Sequence, residues 1–378
     1  MVVTARPSYS RIRTALTAIM KNDDLELQLV LAGSALLERY GSIEKTVVAD
    51  GFPITEKVFM VLEGENPTSM AKTTGLGLLE LSNIFYNLTP DVVVVIADRF
   101  ETLAVSIAAA YQNIPLVHVQ GGEITGNIDE KVRHANTKLA DIHFVASENA
   151  KNRVIHLGED PEYVFNTGCP SIDLAAEVMK DPSLNFDPYK KYGGVGEMQD
   201  FSKGYVVVLQ HSVTTEYADA RQQVLQTLNA VNKLDLPAFW FWPNVDAGAD
   251  GISKSIRAFR ESQEIHNIHF FKNMSPEDFL RLLYNSKCLI GNSSAGIREC
   301  AYLGIPVVNI GTRQEGRDRG SNVIDVDYDE KEILSAIKRS IQDERPKQSN
   351  IYGGGNAGQK IAGLLATVPL RYHKKILF

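Results

Sequence analysis

Asp98, Glu123, Asp129 and Glu130 are the carboxylates whose positions suggest chemistry. Asp98 closes the apolar run Val92-Val93-Val94-Val95-Ile96-Ala97. Glu123 follows the run Pro115-Leu116-Val117-His118-Val119-Gln120 and two glycines, which let the backbone turn sharply. Several carboxylates gathered at one cleft repel each other and raise at least one pKa, which suits acid–base work at carbon or oxygen. Glu130 has a second reading, as the capping-box partner of Asn127 and the ion-pair partner of Arg133; the two roles are compatible. His211 follows the buried run Tyr205-Val206-Val207-Val208-Leu209-Gln210 and stands among hydroxyl residues. A histidine that is neutral near pH 7 can give or take a proton there. His118, inside an apolar strand, reads as a satisfied core residue. His143, His156, His266, His269 and His373 have no constellation around them and read as structure or surface.

A second set of residues suits an anion. Gly291-Asn292-Ser293-Ser294-Ala295-Gly296 is a turn of small residues between a strand and a helix. Small side chains let a ligand approach the backbone, and free N–H groups with hydroxyls can hold a diphosphate. Glu299, one turn further on, could accept from ribose hydroxyls. The plain alternative is a helix capped by Ser293 or Ser294. Arg313 and Arg317 in the following strand-end loop favour a nucleotide. The turn Ala5-Arg6-Pro7-Ser8-Tyr9-Ser10-Arg11 reads equally as a phosphate site or as a solvated first helical turn.

These residues need elements to place them. A short strand at 1–4 feeds a helix with Ile12, Leu16 and Ile19 on one face. A strand is expected at 25–31, helices at 33–40 and 70–87, a strand at 91–98 and an alanine-rich helix at 103–111. Strands at 115–120, 142–146 and 163–168 follow. A helix opens near Asn127; Ile128, Val132, Ala135 and Leu139 form its apolar stripe, and Glu130, Arg133, His134 and Thr137 point the other way. Beyond a stretch of weak periodicity at 169–203, strands are expected at 205–210, 238–242, 268–271, 288–290, 305–310 and 323–326, and helices at 329–341 and 356–366. The alternation implies parallel, doubly wound sheets whose ligands lie beyond the carboxyl ends of the strands. Arg6, Asp98, Arg99 and Glu123 all fall at such ends.

The 378 residues suffice for two domains, and 44% apolar with 22% charged residues describe a soluble globular protein. A net charge of −7 argues against nucleic-acid binding. Cys169, Cys288 and Cys300 are widely spaced, without a CxxC, which fits a reducing cytoplasm and neither a disulfide framework nor a zinc site. No run is long enough to span a membrane, and the expected location is cytoplasmic.

Eight phrases carry a resemblance along the chain, from about residue 3 to 365. They are Ala5-Arg6-Pro7, Ala97-Asp98-Arg99-Phe100, Gly121-Gly122-Glu123-Ile124-Thr125-Gly126, Asp129-Glu130-Lys131-Val132-Arg133-His134, Gln210-His211-Ser212-Val213-Thr214-Thr215, Pro243-Asn244-Val245-Asp246, Gly291-Asn292-Ser293-Ser294 and Gly311-Thr312-Arg313-Gln314. Together they resemble the hydrolysing UDP-N-acetylglucosamine 2-epimerases, including bacterial sialic-acid-pathway enzymes and the epimerase half of the animal bifunctional epimerase/kinase. The resemblance implies an α/β protein of GT-B fold, with two Rossmann-like doubly wound domains and the active site in the interdomain cleft. The expected domains are 1–170 and 171–355, with the helix at 356–378 packing back on the first.

By that resemblance Ser293, Ser294, Glu299 and Arg313 hold the UDP, Asn244 lines the cleft, and Arg6, Ser10 and Arg99 reach it from the first domain. His211 contacts phosphate or sugar. Asp98, Glu123 and Glu130 flank the sugar, and Arg133 holds the carboxylates in place. The implied reaction removes the C2 proton as UDP leaves, forming a 2-acetamidoglucal. Water then adds at C1 while C2 is reprotonated on the other face, giving N-acetylmannosamine and UDP. No metal or cofactor is required, and a homodimer or homotetramer is expected. The same chemistry on a UDP- or GDP-linked 2,4-diacetamido sugar is the near alternative. A non-hydrolysing epimerase, a GT-B glycosyltransferase and a non-catalytic nucleotide-sugar-binding protein are the others. Three departures stand out. The first strand lacks the residues that usually precede it, pointing to a start upstream. Ser8 stands where many relatives carry an acid, and Asn273 replaces a histidine of the animal enzymes, so feedback control of their kind is not expected.

Overall fold

Apolar strands with no polar alternation must be covered on both faces, and that requirement organises the fold. In the computed structural model Val94 and Ile96 pack with Ile12, Leu16 and Ile361 on one face of their sheet, and Val93 and Val95 pack with Leu81, Phe85 and Val105 on the other. Each such side chain contributes about 1.5–3 kcal/mol when fully buried. The structure describes residues 1–38, 42–63, 66–125, 128–213, 216–243, 249–262 and 265–377.

The chain divides into two units, one made of Met1–Asp173 with Tyr352–Phe378 and the other of Leu174–Ile351. The first contains β1 (Val2–Val3), α1 (Arg6–Met20), β2 (Val30–Ala32), α2 (Glu44–Ala49), β3 (Glu56–Val58), α3 (Pro67–Leu88), β4 (Val93–Ile96), α4 (Thr102–Tyr111), β5 (Leu116–Val119), α5 (Ile128–Leu139), β6 (Ile142–Val145), α6 (Glu148–His156) and β7 (Val164–Asn166). Its strands are hydrogen-bonded in the orders β1-β2-β3 and β4-β5-β6-β7, all parallel, and β1 lies beside β4. The order therefore reverses between β1 and β4, the place where doubly wound sheets bind ligands.

After α7 (Pro170–Val178) and α8 (Pro188–Tyr192), the second unit repeats the pattern with β8 (Val206–Leu209), α9 (Ala220–Asn232), β9 (Ala238–Phe241), α10 (Ala249–Ser262), β10 (Ile268–Phe271), α11 (Pro276–Tyr284) and β11 (Leu289–Gly291). Next come α12 (Ser294–Ile297), α13 (Glu299–Leu303), β12 (Val307–Ile310), β13 (Val323–Val326) and α14 (Glu330–Gln342). Its six parallel strands run β10-β9-β8-β11-β12-β13, so the reversal falls between β8 and β11. The last helix, α15 (Ala357–Thr367), packs on α1 in the first unit. Among the described residues no helix is long and apolar enough to cross a membrane.

Two expected elements of the first unit differ. The strand expected at 25–31 is only Val30–Ala32, because β1 offers just two partners, Val2 and Val3. Ahead of it the backbone is taken elsewhere: Leu29 N–H donates to Thr55 Oγ1 at 3.0 Å, and Gln28 accepts from the N-terminal ammonium at 2.8 Å. Of the helix expected at 33–40, residues 39 and 40 lie outside the described residues; the described part is a 3-10 turn, Gly33–Leu36, entered through Gly33 at φ 60° and ended by extended backbone at Leu37. The short charged strand β3 has no hydrophobic signature that reveals it in the sequence.

Candidate active site

In the first unit, α5 supplies the centre. Arg133 is 2% exposed, and its guanidinium bridges two buried carboxylates. Nη2 donates to Asp98 Oδ2, and Nη1 lies 3.7 Å from Glu123 Oε2. Asp98 and Glu123 follow adjacent strands, β4 and β5, so the fold itself brings them together. The expected apolar stripe of α5 is corrected here. Val132, Arg133, Asn136 and Thr137 are all buried, while Ala135 is only half-buried, so Arg133 and Thr137 face the protein rather than solvent. The helix is rotated because it packs against polar groups at strand ends, not against a purely apolar core.

Both strands leave the sheet through strained residues. Ala97 has φ 60° and Gln120 has φ 66°. The left-handed region costs a residue with a Cβ roughly 1–2 kcal/mol, and such strain gathers at functional sites. Gly122 needs its freedom twice over: φ is 74°, and a Cβ there would stand 2.3 Å from the carbonyl oxygen of Ala150. Arg153 Nη1 donates to the Gly122 carbonyl at 3.2 Å, a contact across 31 residues that no local pattern reveals.

Glu130 fastens the turn. Its Oε2 accepts from Thr125 N–H at 2.6 Å, and His134 lies 3.5 Å from Oε1. Asn127, its expected capping partner, lies outside the described residues, as do Gly126, Thr214, Thr215, Val245, Asp246 and the candidate Asn244. Arg99 is bridged to the buried Glu101 by bonds of 3.3 Å from Nε and Nη2. Arg6 and Ser10 are exposed one turn apart at the start of α1, with Ser10 Oγ donating to the Arg6 carbonyl at 3.4 Å. His118, read as a core residue, is fully buried and bonded to Thr137 and to the backbone.

In the second unit, Asn292 is the hub. Its Oδ1 accepts from His211 N–H at 2.8 Å, and its Nδ2 donates to the His211 carbonyl at 2.9 Å. Its own carbonyl accepts from Arg313 Nη1 at 3.2 Å and from Gln314 Nε2 at 2.8 Å. One residue thus ties together the loops after β8, β11 and β12. Gly291, at φ 125°, makes this possible: a Cβ there would fall 2.3 Å from the Leu209 carbonyl oxygen. Ser293 Oγ accepts from Ala295 N–H at 3.3 Å and caps α12, while Ser294 is half-buried beside it. The expected continuous helix is broken at Arg298 (φ −101°, ψ −75°), so Glu299 opens α13 instead of lying within one helix. A single-turn helix has little dipole, so any anion here must be held by hydroxyls, Arg313 and backbone. Asn292 and Gln314 were missed as organising residues. The amide partner of Asn292 is 81 residues away, beyond the reach of any local pattern.

Exchanging Asn292 for Leu would take the Asn292 amide away from two buried backbone groups of His211. The expected loss is about 2–6 kcal/mol, at 1–3 kcal/mol per orphaned group. Urea unfolding with a signal from the second unit checks it, and an unchanged midpoint contradicts the hub.

Burial pulls the His211 pKa from 6.5 to about 3, with the Arg313 charge adding to the effect. His118 is likewise held near 3, chiefly by burial. Both rings are neutral in the folded chain near pH 7, while their unfolded counterparts take up protons below about 6.5. The unfolded state binds more protons, so the stability is fully present above pH 6.5 and is lost as pH falls toward 3. Each histidine contributes a slope of about 1.4 kcal/mol per pH unit in that window. His118 acts in the first unit and His211 in the second. Urea midpoints measured from pH 7.5 to 5.0 should fall below 6.5; midpoints flat to pH 5.0 would contradict these environments.

The sequence profile of the UDP-N-acetylglucosamine 2-epimerase family matches residues 17–366. A UDP-N,N'-diacetylbacillosamine 2-epimerase (hydrolyzing) from Legionella pneumophila is 35% identical over 376 residues, covering 100% of this chain and 97% of the relative. A UDP-N-acetylglucosamine 2-epimerase from Neisseria meningitidis is 30% identical over 94% of this chain and 90% of its own length. The crystal structure of the UDP-GlcNAc 2-epimerase from Neisseria meningitidis bound to UDP-GlcNAc superposes with a TM-score of 0.80 at 19% identity, covering 96% of this chain and 98% of that one. The two doubly wound units with their parallel sheets are those of the GT-B fold. With the profile running over nearly all of the chain and the Legionella relative matching it end to end, the chain belongs to the UDP-N-acetylglucosamine 2-epimerase family.

Proposed function

We propose that the protein is a hydrolysing 2-epimerase that converts a UDP-linked 2-acetamido sugar and water into UDP and the free sugar inverted at C2. The observation that carries this reading is the Asp98–Arg133–Glu123 cluster, two buried carboxylates held by one guanidinium at the ends of β4 and β5. Breaking the C1–O bond develops positive charge at the anomeric centre, which carboxylates stabilise, and one of them can take the C2 proton. The electron pair of the C2–H bond forms the C1=C2 bond as UDP departs. Water oxygen then bonds to C1, and C2 accepts a proton on its opposite face. Glu130 acts by fixing the Glu123 turn through Thr125.

In this reading the second unit holds the UDP. Ser293, Ser294 and Arg313 take the diphosphate, Glu299 accepts from the ribose hydroxyls, and Asn244 borders the nucleotide. Arg6, Ser10 and Arg99 contribute from the first unit. His211 serves as a neutral ring that donates one hydrogen bond and accepts another, since its burial leaves it unprotonated near pH 7. The Legionella relative, a UDP-N,N'-diacetylbacillosamine 2-epimerase (hydrolyzing), supports both the hydrolytic outcome and a 2,4-diacetamido sugar. UDP-N-acetylglucosamine is the second reading, supported by the Neisseria relative. UDP release measured with each sugar nucleotide in parallel separates them. The expected result is a higher kcat/KM for the diacetamido substrate and a product free of UDP; a product that keeps its UDP would overturn the hydrolytic reading.

A further inference from the structure

Asp98 stands between two carbonyls that are both tied down. The Ala97 carbonyl faces His118 Nε2 at 2.9 Å and Asn136 Nδ2 at 3.4 Å. The Arg99 carbonyl accepts from Thr102 Oγ1 at 2.6 Å, and Thr102 Oγ1 in turn accepts from Asn136 Nδ2 at 2.8 Å. The orientation of the Asn136 amide is set by Ser106 Oγ, which donates to Oδ1 at 2.8 Å. The histidine ring is fixed in the same way. A carbonyl can only accept, so Nε2 must carry the proton, and Nδ1 accepts from Thr137 Oγ1 at 3.1 Å. His118, Asn136, Thr137 and Ser106 are all fully buried. Arg133, Asn136 and Thr137 share one face of α5, since residues three and four apart lie together on a helix. One helical face therefore grips Asp98 twice, by its side chain through Arg133 and by its backbone through Asn136 and, via Thr137, His118.

The object of this grip is an unfavourable backbone. Ala97 sits at φ 60°, a conformation disfavoured for any residue with a Cβ. It directly follows the last residue of β4, and its N–H still donates to Val119 O at 2.9 Å. Without donors at its carbonyl, Ala97 would relax toward extended backbone and carry Asp98 away from Arg133.

We propose that His118 and Asn136 are positioning residues for Asp98, holding the Ala97 carbonyl so that the left-handed turn presents the carboxylate to Arg133. This rests on the reading of Asp98 as a group acting on the sugar. His118→Leu is expected to lower kcat about 10–100-fold, the scale of a small misplacement of a reacting group, with KM and UDP affinity within about twofold of wild type. His118→Gln places an amide N–H near the position of Nε2 and is expected to recover most of the rate. Ala97→Gly accepts the left-handed conformation without strain and should restore part of the rate in the His118→Leu background. A folded His118→Leu enzyme with wild-type kcat overturns the proposal, as does an equal loss in the Leu and Gln variants. Nitrogen NMR of the histidine-labelled wild-type chain gives a readout independent of activity. A neutral Nε2–H ring from pH 5 to 8 supports the clamp; an Nδ1–H tautomer overturns it. Wild-type protein without turnover would reject the functional reading while leaving the NMR test intact. If His118→Leu does not fold, the Gln variant and the NMR measurement decide.

Discussion

Glu123→Gln is expected to lower turnover by about 10²–10⁴-fold, the usual contribution of a group that moves a proton in the transition state. UDP affinity is expected to stay close to wild type, because the proposed nucleotide contacts come from the second unit. The substitution keeps size and removes charge, so Arg133 remains paired with Asp98. The unfolding midpoint should therefore change much less than the rate. Single-turnover measurements with the sugar nucleotide, beside calorimetric titration with UDP, separate the two effects. Wild-type turnover in this variant would remove Glu123 from the chemistry and reduce it to an ion-pair partner of Arg133.

Arg133→Met is expected to be the most damaging single change to the first unit. Two buried carboxylates, at 8% and 5% exposure, would lose the cation between them. Breaking a buried pair by removing one partner costs about 3–5 kcal/mol, a large part of the 5–15 kcal/mol that holds an ordinary domain together. The penalty lies in the abandoned charges rather than in the lost attraction. Adding Asp98→Asn and Glu123→Gln to Arg133→Met should therefore restore much of the stability while leaving the enzyme inactive. Arg133→Lys keeps the charge but cannot fork to two carboxylates on adjacent strands, and it should fall between wild type and Met. Urea unfolding of the four proteins tests this. An Arg133→Met chain as stable as wild type would mean that the bridge is not formed in solution.

The strand cores were legible because their signal is local. Val93–Ile96 and Val206–Leu209 are unbroken apolar runs, and a run covered on both faces needs no alternation. The positions of Asp98, Glu123 and His211 followed from the same signal, since each stands just beyond such a run. Other features depend on partners far along the chain. The length of β2 is set by the two residues of β1, and residues 33–36 turn rather than form a helix because of Gly33 and its surroundings. The buried face of α5 departs from its apolar pattern. Ile128, Val132, Ala135 and Leu139 make a regular apolar stripe, yet the helix buries Arg133, Asn136 and Thr137 beside Val132. A sign was present: His118 is polar and sits within an apolar strand, and a buried histidine needs partners. Asn136 and Thr137 lie three and four residues from Arg133, the spacing that puts them on its face. Asn292 showed itself as part of a small-residue turn, but its work as a hub depends on His211, Arg313 and Gln314, which only the folded sheet brings to it.

The most direct measurement is proton NMR of the reaction run in deuterium oxide with UDP-N,N'-diacetylbacillosamine and, in parallel, UDP-N-acetylglucosamine. Removal of the C2 proton by a carboxylate and reprotonation from the other face predict free sugar of inverted C2 configuration, deuterated at C2, together with UDP. A UDP-linked product, or a free sugar that keeps its original C2 proton, would contradict the account.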